Sequence, residues 1–331
     1  MRRILIFSIL LVPATVAPLS AAEQSAGTAV VEYFGYADCI ELKNADARVV
    51  LCPHGGRVLE YSWKGQNSLY LDPRQEGWTH RPGKPAVDPC GGRFDIGPEN
   101  TIPRHPDLWL GKWTAEITGP RAARLTSVAD AATGTQLVRD FRLDAASSRL
   151  TCTQTIKNVS QRTSVWCHWS RTLAQGGGIC LIPLSPDSRF PNKYIMYGPG
   201  STIDFRPKDQ NIRVRDGFLE VLGTPQQPKL GLDSHAGWFA YLMKSDLLFV
   251  KRYPTFPERA YNEMAALTIS IWYFKDLMCE LEPIGPAERL APGKSASFTE
   301  EWWLLPYKYP AADGKVDLDG LSKLVDEKAK P

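Results

Sequence analysis

Between Val49 and Pro306 the chain is written in short apolar runs, each closed by Gly, Pro, Asn or Asp. They are VVLCP (49–53), GRVLEYSW (56–63), TAEITG (114–119), LVRDFRLD (137–144), RLTCTQTIKN (149–158), SVWCHWSRTL (164–173), GWFAYLM (237–243), LLFVKRY (247–253), LTISIWYF (267–274), LMCELEP (277–283) and SFTEEWWLLP (297–306). Runs of this length, rich in β-branched and aromatic residues and punctuated by turn formers, predict a predominantly antiparallel β protein. Helical periodicity is confined to VDLDGLSKLVDEKAK (316–330), where Leu318, Leu321, Leu324 and Val325 fall on one face. A peripheral helix with a frayed end is expected there. No shift of composition and no repeat divides the chain, so residues 23–310 are expected to form one all-β domain and 311–331 a helical tail.

Two stretches interrupt the strand pattern. Gly77 to Pro106 is rich in Gly, Pro and charge, and it is too long for a simple connection. Loops of that size on a β scaffold often carry function. Ser185 to Lys208 is a second candidate rim loop.

The first residues, MRRILIFSILLVPATVAPLSAA, combine Arg2 and Arg3, an apolar run from Ile4 to about Leu19, and small residues Ser20 and Ala22. That pattern predicts an export signal (residues 1–22) cleaved after Ala22, and a periplasmic or secreted protein. Pro13 and Pro18 break the apolar run, which falls short of the roughly 20 residues of a bilayer span, so no membrane association is expected after cleavage. The formal charge is +3, and loss of Arg2 and Arg3 takes it to +1. Such a surface gives no reason to expect nucleic acid as a partner. All seven cysteines (39, 52, 90, 152, 167, 180 and 279) follow the leader. Seven is odd, so at least one stays free; Cys39 with Cys52 is one local pairing that spacing alone does not decide. No C-x-x-C occurs, so a thiolate zinc site is not expected.

Chemistry concentrates in MCELEPIGP (278–286). Alternation sends Glu280 and Glu282 to the same face of a strand. In a pocket, two neighbouring carboxylates raise the pKa of one of them, as burial does, and that makes a base fit for neutral pH. On an open face they are merely solvated. Ten Trp and twelve Tyr bear on the choice, because aromatic faces pack on the C–H side of pyranose rings; most of them belong in a core on ordinary burial behaviour.

Four further segments lie in order along the chain: PHGGRVLEY (53–61), CGGRF (90–94), PRHPDLWLGKW (103–113) and NVSQRTSVWCHWSRTL (158–173). With ELEP and LAPGKSASFTEEWWL (290–304) they resemble segments of the galactose mutarotase-like, or aldose 1-epimerase-like, superfamily, and its secreted bacterial members in particular. The likeness runs from about Glu32 to about Pro306. It implies an antiparallel β-supersandwich that binds a monosaccharide or glycan in a concave face.

It also implies roles. Glu280 falls on the general base and His168, in HWSRTL, on the general acid; Arg93, His105, Glu282, Arg171 and Trp109 fall on substrate-binding positions. In that scheme Glu280 takes the anomeric hydroxyl proton while His168 protonates the ring oxygen, and reclosure of the opened sugar gives the other anomer, with neither metal nor organic cofactor needed. Two other readings stay open: a non-catalytic carbohydrate-binding protein, and a polysaccharide lyase-like enzyme on the same scaffold. The sugar and the oligomeric state are not specified.

Overall fold

The computed structural model describes residues 26–330 except Lys84 and Asp313. The expected leader lies outside the described residues. The described chain forms a 13-stranded sheet and a 10-stranded sheet, antiparallel throughout, with two short α-helices. Every one of the runs singled out above contains a strand. The large sheet runs Thr28–Tyr33, Tyr36–Lys43, Ala47–Cys52, Arg57–Trp63, Gly92–Gly97, Ser164–Gln175, Met278–Pro283, Ile269–Phe274, Lys229–Leu232, Ile195–Tyr197 and Ile203–Asp204, with two short strands attached beside this path.

The core lies between the sheets. Leu51, Val58, Phe94, Ile96, Ile271 and Leu281 of the large sheet meet Phe141, Ile156, Phe249, Phe298 and Trp302 of the small one. The helix Leu318–Lys328 covers the other face of the small sheet. Asp317 caps it by accepting from the Gly320 amide at 2.9 Å. Leu318, Leu321 and Val325 then pack on Leu248, Val250, Trp303 and Leu305.

Two stretches expected to be loops contribute strands. Gly92–Gly97 lies inside the 77–106 stretch and pairs with Ser164–Gln175, while Ile195–Tyr197 and Ile203–Asp204 lie inside 185–208. The sequence GGRFDIG hides its alternation because its outward residues, Arg93 and Asp95, are charged, while only Phe94 and Ile96 face the core.

Within the apolar core sits one fully buried ion pair. Lys251 Nζ lies 3.0 Å from Glu300 Oε2 and donates to Ser170 Oγ (3.2 Å), Thr172 Oγ1 (3.0 Å) and the Leu281 carbonyl (3.1 Å). Gln154 and the Trp302 indole donate to the same glutamate. A buried carboxylate left without its cation costs several kcal/mol. Lys251→Met is therefore expected to lower the unfolding free energy by about 3–5 kcal/mol. Adding Glu300→Gln should restore part of that loss, because the amide oxygen still accepts from Gln154 or Trp302. Urea titration followed by tryptophan fluorescence measures both.

Candidate functional site

Residues on the large sheet's outer face follow strand parity. On Ser164–Gln175, His168, Ser170 and Thr172 turn inward, while Trp169, Arg171 and Leu173 turn outward. On Met278–Pro283, Leu281 turns inward and both glutamates outward; on Gly92–Gly97, Arg93 and Asp95 turn outward. Arg171 is the rung partner of Arg93, and Asp95 that of Trp169. Glu280 stands between Leu173 and Trp272, which in turn pairs with Lys229. The outer face thus carries adjacent rows of cations, carboxylates and tryptophans.

Arg171 is the hub of that face. Its Nε donates to Glu280 Oε1 at 2.8 Å and lies 3.3 Å from Glu282 Oε1, so two carboxylates share one guanidinium. Trp169 stacks beneath it, 4.5 Å from ring centre to guanidinium. Arg93, almost wholly buried, lies over Trp109 at 4.6 Å and donates from Nη2 to Asp88 at 2.6 Å. Lys229 is ion-paired with Glu99 and sits over the Trp169 and Tyr197 rings at 5.4 and 4.9 Å. Asp88, Glu99, Asp95, Lys229 and Trp169 had not been assigned to the site in the sequence. For Asp95 and Trp169 a usable signal existed: each lies two residues from an arginine that was chosen, Arg93 and Arg171.

Hydrogen-bonding capacity is not used up. Arg93 Nη1, both Glu282 carboxylate oxygens and the Ser270 hydroxyl are buried and make no hydrogen bond, although Glu282 is ion-paired with Arg171. Ser270 is the cross-strand partner of Glu282. Unpaired buried groups also occur elsewhere in the chain, as at Arg139 Nε, Tyr253 Oη and Trp303 Nε1, but here four of them lie on one face.

Burial, reinforced by the charge of Glu280, pushes the Glu282 carboxyl up to about 7. Burial works against the charge of Arg171, but Glu280, Asp88 and Glu282 more than offset it. For Asp88, burial is outweighed by the two arginines, which hold its carboxyl below the usual range. Burial and the like charge of Arg171 instead lower Arg93.

Two histidines stand differently from expectation. His168 is fully buried on the inner face, stacked between Phe94 and Phe298 with ring centres 5.7 Å away on each side. Its Nε2 donates to the Ala296 carbonyl of the small sheet at 3.1 Å, and burial lowers its pKa to about 4. His168 therefore does not face Glu280: the sheet lies between them. His105 does belong to the outer face, but its nitrogens are engaged, Nδ1 with the Pro103 carbonyl (2.6 Å) and Nε2 with Asp95 (2.9 Å). Two oxygen acceptors suit an imidazolium, and the Asp95 interaction raises its pKa against the opposing effect of burial. Glu280, Glu282, Arg93, Arg171, Trp109 and His105 are thus brought to one face, and His168 is not.

With this geometry in view, solved structures place the architecture. A galactose mutarotase-like protein from Clostridium acetobutylicum superposes with a TM-score of 0.57 at 12% identity, covering 85% of this chain and 99% of that one. One from Lactobacillus casei gives 0.56 at 11% over 81% and 100%. A Synechocystis protein, Slr1438, gives 0.55 at 15% over 88% and 100%. The chain has the galactose mutarotase-like fold. At such identities the likeness concerns fold alone. No family model matches the sequence, and no curated relative does. Among the described residues no helix is long and apolar enough to cross a membrane.

The raised Glu282 pKa has a consequence for stability. The folded chain holds this proton up to about pH 7, whereas a carboxyl at its ordinary value of 4.5 has released it. Stability from this group is complete below about pH 4.5 and is lost as pH rises through about 7, by about 3 kcal/mol in all. Glu282→Gln should flatten that decline, and unfolding titrations between pH 5 and 8 on both proteins would show it.

Proposed function

We propose that the protein is an exported carbohydrate-binding protein that holds a sugar on the outer face of its large sheet, over Arg93, Arg171 and Glu282. One observation carries the reading: a buried donor on Arg93 and buried acceptors on Glu282, all without hydrogen bonds, lie in adjacent rows bordered by Trp109, Trp169 and Trp272. Sugar hydroxyls both donate and accept, and their rings present C–H faces to aromatics, so a carbohydrate answers both halves of that surface. A purely apolar ligand would leave those donors and acceptors without hydrogen bonds. The neighbouring ion pairs fix the side chains beforehand, which reduces the ordering cost of binding.

A second reading, an aldose 1-epimerase-like isomerase, is favoured by the Glu282 carboxyl near 7. In that reading the acid role leaves His168. The carboxyls sharing Arg171 divide the work: Glu280 accepts the anomeric hydroxyl proton, and Glu282, carrying its own proton, donates to the ring oxygen. On reclosure the transfers reverse, Glu282 taking the proton of the ring-forming hydroxyl and Glu280 returning its own to the carbonyl oxygen, so the chain regains its starting state.

Calorimetric titration with a panel of neutral and acidic mono- and oligosaccharides, run beside polarimetry, separates the readings. Arg171→Met is expected to weaken sugar binding about ten- to a hundredfold, the worth of a charged hydrogen bond. His168→Gln should leave affinity within about twofold, because His168 faces the core. Binding without change of optical rotation supports the binding protein. Rotation catalysed by the native chain and lost in Glu282→Gln supports the isomerase.

A further inference from the structure

Three strands of the large sheet line up Cys39, Cys52 and Arg57. Tyr36–Lys43 pairs with Ala47–Cys52 so that Ile40 faces Leu51 and Glu41 faces Val50. Continued by one residue, the register sets Cys39 opposite Cys52. On the other side Cys52 pairs directly with Arg57. Both cysteines are fully buried free thiols, and they belong to one packed cluster with Tyr36, Val50 and Leu59, apart from the main core. Directly opposed antiparallel residues have Cα atoms about 4.5–5.5 Å apart, inside the range of about 4.4–6.8 Å that a disulfide spans.

Arg57 adds a second observation. It is 2% exposed, and its donors go to the His54 carbonyl (2.8 Å), the Cys90 carbonyl (3.1 Å) and thiol (3.8 Å), and the Tyr36 hydroxyl (2.9 Å). None of these partners is a carboxylate. A buried guanidinium without a carboxylate partner favours negative charge beside it, and its ladder partner Cys52 is a thiol that interacts electrostatically with it.

We propose that Cys39 and Cys52 are a disulfide-forming pair, with Cys52 as the sulfur that Arg57 activates. The oxidant is a disulfide donor, either an oxidised dithiol protein or glutathione disulfide. Cys52 thiolate attacks one donor sulfur, a mixed disulfide forms, and the first donor thiolate leaves. Cys39 then gives up its proton and attacks the Cys52 sulfur, releasing the second donor thiolate. The chain loses two protons and two electrons, and the donor gains them as two thiols. The two sulfurs differ as this order requires. The neighbouring Cys52 thiol and burial push Cys39 up, whereas at Cys52 the opposing effect of burial is overcome by Cys39 and Arg57, and its pKa is lowered. Both sulfurs are closed off in the folded chain, so exchange occurs while the two consecutive hairpins are formed but Tyr36 and Leu59 have not yet packed over them.

The proposal rests on neither reading of the sugar site. The whole chain is produced once in a disulfide-forming bacterial compartment and once in a reducing cytosol, then denatured, alkylated with iodoacetamide and mapped without reduction. The expected result is a Cys39–Cys52 linked peptide, lacking both thiol hydrogens, from the first source, with both residues alkylated in the second. Cys39→Ser and Cys52→Ser each abolish the link. Arg57→Gln slows its formation in glutathione buffer about tenfold, one pKa unit of thiolate, while Arg57→Lys slows it less. Alkylation of both residues in chain from the disulfide-forming compartment overturns the proposal, and so does a link from either one to Cys90 or another cysteine.

Discussion

The Lys251 ammonium is the point at which both sheets and the outer face are tied together. It rises from the small sheet, crosses the core and is received by Ser170, Thr172 and the carbonyl of Leu281. Ser170 and Thr172 flank Arg171, and Leu281 lies between Glu280 and Glu282. Three hydrogen bonds from one cation therefore hold the two central strands from behind, at the rungs whose opposite side carries the guanidinium and its two carboxylates. Burial lowers the lysine's pKa, and the charge and hydrogen bond of Glu300 oppose that effect. The strands behind the site are fixed by polar contacts that have one satisfactory geometry, which apolar packing alone does not impose.

On the outer face, charge is balanced locally. Arg171 serves two glutamates, Arg93 serves Asp88, Lys229 serves Glu99 and His105 serves Asp95. Aromatic rings lie beneath Arg93, Arg171 and Lys229, which both shields them from water and orients them. What such a surface offers a ligand is hydrogen bonding of both senses beside flat apolar area. The fold is shared with mutarotase-like proteins, whereas the chemistry is read from these side chains.

Much of the fold was legible in the sequence, because alternation and turn punctuation are local signals. Runs such as RLTCTQTIKN and SFTEEWWLLP declare strands through their own residues, and the final helix shows its apolar stripe. GGRFDIG did not, since half of it is charged and glycines open and close it. Within the site, the shared face of Glu280 and Glu282 follows from parity. Parity also contains the reason why His168 was misplaced. His168 and Arg171 are three residues apart, so a regular strand cannot show both to one ligand. Neither residue set on that strand is plainly the apolar one: His168, Ser170 and Thr172 oppose Cys167, Trp169 and Arg171. The deciding partners, Phe298 and Lys251 behind and Glu280 in front, are distant in sequence. Asp88, Glu99 and Lys229 carry no local signal, since their meaning comes only from the cations and carboxylates that the topology sets against them.

The most direct test of the central claim is a crystal structure of the chain with a bound sugar, obtained by soaking the saccharide that calorimetry ranks highest. The account predicts a ring on the outer face of the large sheet, with hydroxyls in hydrogen-bond reach of Arg93 Nη1 and the Glu282 carboxyl and a C–H face against a tryptophan of that surface. A sugar seated elsewhere on the molecule, with Arg93 Nη1 and Glu282 still unpaired, would contradict it.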